Sequence, residues 1–165
     1  VYLHKDWFAN LKTFIRVVIH ENIHLTANDD SFDMYGIGAL REGLIEYITQ
    51  RIFDLAEQDG LTIKYEFQSR TYMEYVEAIK RNIFDYLFEG SDSPFIDFYN
   101  SGDVVALAIK LSNAIEKKGE KALEKAPYIP ERQIIVDEIR KIVSLLQAPS
   151  LKNLFTEDRE ILTAL

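Results

Sequence analysis

From Asp6 onward the chain lays down apolar residues at helical intervals. Trp7, Phe8, Leu11, Phe14, Ile15, Val18 and Ile19 recur three and four apart, while Lys5, Lys12 and Arg16 fall elsewhere. The run must be a helix with one buried face. Set into its far end is His20-Glu21-Asn22-Ile23-His24, an H-E-x-x-H string that uses two of the three histidines in the chain. Residues four apart on a helix point the same way, because four steps overshoot a full turn by only about 40°. His20 and His24 can therefore grip one metal ion side by side. Glu21, one step round, is left to act on a water that the metal activates.

The flanks suit such a site. Val17, Val18, Ile19, Ile23 and Leu25 surround the histidines with apolar side chains, and a dry shell strengthens metal–ligand attraction. A lone histidine on an apolar helix is usually a satisfied core residue, but two bracketing a glutamate are harder to explain that way. A buried Glu21 would cost several kcal/mol unless paired or facing a polar cleft. Next comes Asn28-Asp29-Asp30-Ser31-Phe32-Asp33, which reads as a loop. Its aspartates read as loop formers and caps, without the spacing of a calcium loop. A second helix starts near Gly36 or Gly38 and runs through Ile48. It carries Glu42 and Glu46.

Leu40-Arg41-Glu42-Gly43-Leu44-Ile45-Glu46-Tyr47, following H-E-x-x-H, resembles the glutamate helix of the gluzincin branch of the zincin metallopeptidases, with Arg41 where asparagine is common. The likeness runs from His20 to Glu46. It implies zinc held by His20, His24 and Glu42, with Glu21 as general base and a peptide or protein as substrate. Catalytic zinc takes three protein ligands and keeps an open position. Glu46, four residues past Glu42, would hydrogen-bond a ligand histidine. Asp30, six residues after His24, is the rival third ligand, as in metzincin-like enzymes. The glycine that such a turn needs is replaced there by Ala27, which resists positive φ, so Glu42 is preferred. The cysteine ligand of peptide deformylase has no counterpart in a chain without cysteine.

The expected fold is mainly α: a zincin-like pair of active-site helices, then an all-helical lobe. Zincins place a sheet before the active-site helix, and its edge strand aligns the substrate. Here that helix begins almost at the first residue, so the sheet is expected to be reduced or absent. The only strand candidate is Leu61–Phe67, apolar at odd positions. Residues 1–68 would form the metal-binding core and 69–165 the helical lobe. In the lobe, helices are expected from Tyr72 to Leu87, through Phe95 and Tyr99, from Asp103 to Gly119 and from Pro130 to Pro149, with short helices beyond. An oxyanion-stabilising donor is sought in Tyr72, then Tyr75, at the start of the third helix; the plainer reading is that both simply pack. His4 reads as surface.

Composition sets the outer bounds. Hydrophobic content of 47% with 28% charged residues describes a soluble globular chain. Net charge −8 argues against a nucleic-acid partner. No apolar run approaches the roughly 18 residues that span a bilayer. The chain opens on valine with no signal-like stretch, so it reads as trimmed, with targeting information upstream and no compartment assigned. Two other functions stay open: a catalytically inactive zincin-like binding or structural domain, and a helical interaction protein with a chance H-E-x-x-H.

Overall fold

The computed structural model describes residues 11–26, 35–60, 65–66, 69–119, 123 and 130–147. Among them are six α-helices and no strand, as expected of a mainly α chain. Helix α1 spans Leu11–Thr26 and α2 spans Gly38–Gln58. Helix α3 covers Arg70–Ala78 and widens into a π-helical turn over Ile79–Asp85. Helices α4 (Ser93–Ser101), α5 (Val104–Lys118) and α6 (Pro130–Ser144) follow, the last ending in a short 3₁₀ turn at Leu145–Gln147. None of these helices is long and apolar enough to cross a membrane.

Local chemistry sets the boundaries. Ser69 caps α3, its hydroxyl accepting the Tyr72 N–H. Asp103 does the same for α5 through the Ala106 N–H. Gly102, at φ 69°, supplies the left-handed residue that closes α4 so that α5 can start at once. Helix α2 has no side-chain cap of its own. The Ala39 and Leu40 N–H groups are taken instead by the carboxylate of Glu138 on α6, at 3.1 and 2.6 Å. Burial nevertheless pushes the Glu138 carboxyl up, against the lowering effect of those two N–H groups.

The core is one cluster that draws on both sides of the 68/69 boundary. Leu40, Leu44 and Ile45 of α2 meet Ile79 and Ile83, then Phe95 and Phe98, Leu107 and Leu111, and Ile135, Ile139 and Ile142. Helix α2 packs between α1 and α3, and α6 packs on α3, α5 and α2. Close approach of α2 and α3 depends on Gly43. A Cβ there would lie 2.7 Å from Ile79 Cδ1 and 2.9 Å from Tyr75 Cβ. At its far end α1 is tied to α4, where the Tyr99 hydroxyl donates to the Ile23 carbonyl and meets the Thr26 hydroxyl.

One sequence expectation changes here, and another is only partly covered. Arg16, expected off the buried face, is 4% exposed, because an acid on α2 draws it inward. Of the Leu61–Phe67 strand candidate, only Tyr65 and Glu66 are described, and both are irregular. The remainder of that segment, together with His4, Asp29, Asp30 and Asp33, lies outside the described residues.

Candidate metal centre

Helices α1 and α2 run antiparallel, as their pairings show: His24 meets Glu42 and Arg16 meets Glu46. On α1, residues 16, 20 and 24 share one face; on α2, residues 42 and 46 do. Packing these faces together builds two rungs. The outer rung holds His20, His24 and Glu42. The inner rung holds Arg16 and Glu46.

In the outer rung the two Nε2 atoms are 3.2 Å apart. Glu42 places Oε2 3.6 Å from His20 Nε2 and Oε1 3.6 Å from His24 Nε2. One donor atom from each residue falls within 4.8 Å of the others. His20 is buried, whereas His24 and Glu42 are half-buried, so the group has a closed back and an open front. Two imidazole nitrogens and a carboxylate fit the three-ligand set of an open zinc site. His20, His24 and Glu42, the three residues named from the sequence, thus form a group that could hold a metal ion.

Behind it, His20 Nδ1 lies 2.7 Å from Glu46 Oε2. Glu46 is wholly buried. Arg16 Nη1 donates to both of its oxygens, at 2.9 and 3.1 Å, and the Tyr65 hydroxyl donates to Oε1. Arg16 and Tyr65 were not found from the sequence, although Arg16 stands four residues before His20, on the histidine face.

The electrostatics follow. Burial alone would push the His20 imidazole down, but Glu42 and Glu46 outweigh it and raise it to about 9. Burial would push Glu42 up, yet the two histidines hold it well below the usual carboxylate range. Glu46 is also held low despite burial, by His20, Tyr65 and Arg16.

Tyr72 sits beside this group, its ring centroid 5.9 Å from that of His20. Burial and the charges of Glu42 and Glu46 push its hydroxyl up to about 12. Tyr75 instead presents its Cβ to Gly43. Glu21 is half-buried, and its carboxylate makes no hydrogen bond or ion pair among the described residues. Arg41, where asparagine is common in the resemblance, places Nη2 3.4 Å from Glu42 Oε1. Comparison with known proteins finds no matching family model, no similar curated protein and no similar solved structure.

Proposed function

We propose that this chain is a zinc-dependent hydrolase of peptide bonds, of the gluzincin kind. The observation that carries the reading is the convergence of His20, His24 and Glu42, with donor atoms within 4.8 Å, beside a Glu21 carboxylate that has no partner among the described residues. Three like-natured donors facing one another repel unless a cation or a proton sits among them. Zinc bound by these three residues would lower the pKa of water and polarise the carbonyl to be attacked.

The remaining work belongs to the chain. Glu21 takes a proton from the attacking water and returns it to the leaving amine. Its lack of an ion pair among the described residues fits that task, since a base tied into one would have to break it first. Glu46 holds His20 with Nδ1 as its hydrogen-bonding nitrogen, leaving Nε2 for the metal. Tyr72 keeps its proton across the neutral range, so its hydroxyl can donate to the oxyanion that develops on the carbonyl. The peptide would approach from the half-buried side of His24 and Glu42.

Elemental analysis paired with a generic peptide-cleavage assay tests this. Glu21→Gln should keep stoichiometric zinc and lose hydrolysis by roughly 10²–10⁴-fold, the usual contribution of a general base. Glu42→Ala should strip the metal. Zinc without turnover in the wild type would select the binding or structural domain instead. A wild type that takes up no zinc would return the chain to a helical interaction protein.

A further inference from the structure

Arg16 has no place in the ligand set, in a cap or on the surface, yet it is 4% exposed. Burying a guanidinium costs several kcal/mol even when it is well paired, and an apolar pair of similar volume often stabilises a helix contact as well or better. Stability of the α1–α2 contact is therefore a poor reason for its presence. Its geometry gives a better one. Nη1 bridges both Glu46 oxygens, Tyr65 donates to Oε1, and Oε2 faces His20 Nδ1. Glu46 is gripped from two sides and cannot rotate away from the imidazole.

Resting on the metal reading above, we propose that Arg16 is a positioning residue of the metal centre, acting through Glu46. Arg16 keeps the Glu46 carboxylate an acceptor in one fixed orientation. Glu46 then holds the proton of His20 on Nδ1 and fixes the ring plane. That leaves Nε2, 3.2 Å from His24 Nε2, as the ligating nitrogen. Tyr65 braces the same carboxylate.

The test is zinc affinity by chelator competition on the full chain, with circular dichroism and denaturation of each metal-free variant. Arg16→Met should weaken zinc binding by about 10–100-fold, the range seen when an outer-shell partner of a metal ligand is lost. Arg16→Lys, which keeps a cation, should lose less. Glu46→Gln should match Arg16→Met, and the double variant should bind no more weakly than Glu46→Gln alone, as expected when one residue acts through the other. Wild-type affinity in every folded Arg16 variant, beside a zinc-binding wild type, overturns this proposal and spares the metal reading. Losses that add in the double variant overturn the route through Glu46. A wild type without zinc overturns both.

Discussion

Two buried ionic clusters share this bundle, and they are built to different ends. Between α3 and α6, Arg132 donates through Nε to Glu74 at 3.1 Å and through Nη2 to Glu77 at 2.8 Å. Positive charge meets negative charge, and Arg70 and Arg81 add looser contacts to the same two carboxylates, at 3.8 and 3.9 Å. Between α1 and α2, the Arg16–Glu46 pair is only the back of the arrangement. In front of it two imidazoles and a second carboxylate turn their donor atoms toward one another. The first cluster is complete as drawn, apart from Arg132 Nη1, which has no partner among the described residues. The second makes electrostatic sense only with a proton or a cation shared among its donors. Buried charge in itself is no mark of a site; convergence of like-natured donors is.

The largest expected effect tests whether the two clusters really divide stability from metal binding. Glu74→Ala leaves Arg132, itself 8% exposed, with Glu77 as its remaining carboxylate partner. Leaving a buried charge wholly unpaired costs about 3–5 kcal/mol, so with Glu77 still in place the loss should reach up to that range. Chemical denaturation should show that loss, while zinc affinity of the folded variant stays at the wild-type value. A Glu74→Ala protein that is stable but zinc-poor would erase the distinction.

A second effect, somewhat smaller, separates the clusters by their response to pH in the metal-free chain. His20 is raised from 6.5 to about 9. Its contribution is fully present below pH 6.5 and is lost as pH rises through about 9. Glu42 and Glu46 are lowered, so their contribution is present above the ordinary carboxylate range and lost as pH falls. Stability of the metal-free protein should therefore peak near pH 5–6 and fall by roughly 3 kcal/mol toward pH 10, at about 1.4 kcal/mol per pH unit of the His20 shift. His20→Ala should remove the alkaline fall. Denaturation midpoints measured with chelator present, flat from pH 6 to pH 10 in the wild type, would contradict this account of the outer rung.

Legibility in the sequence follows the range of the interactions. The i, i+4 spacings of His20 with His24 and of Glu42 with Glu46 are local, and each places two side chains on one face wherever the helix goes. The helices themselves were readable for the same reason, with α4, α5 and α6 falling where apolar periodicity and the Gly102 and Pro130 signals put them. Arg16 was misplaced because its partner is 30 residues away on another helix. Apolar periodicity assigns a charged residue to the outside, and only its register with His20 and His24 argues otherwise. The Glu138 cap on α2 links residues about a hundred positions apart and leaves no local trace. The π-helical turn at Ile79–Asp85 likewise has no pattern that separates it from the α-helix expected there.

Gly43 gives the finest test, because it joins the site to the lobe that carries the other cluster. It follows Glu42 directly and lets α3 come close enough for the Tyr72 ring to reach His20. A methyl group in its place would meet Tyr75 Cβ at 2.9 Å. Cβ is fixed to the backbone, so that contact is relieved only by moving α3 away from α2. Ile79 Cδ1, at 2.7 Å, is a side-chain tip and can turn aside. Overpacking of this kind costs about 1–3 kcal/mol, partly offset by the better helix propensity of alanine, about 1 kcal/mol. Gly43→Ala should therefore destabilise by up to about 2 kcal/mol. Zinc affinity should hold, since His20, His24 and Glu42 all lie on α1 and α2, but turnover should fall as Tyr72 retreats. Tyr72→Phe should lower turnover in the same way with little loss of stability. If Gly43→Ala strips zinc and leaves turnover per bound metal unchanged, the site depends on α3 for its ligand geometry and not for Tyr72.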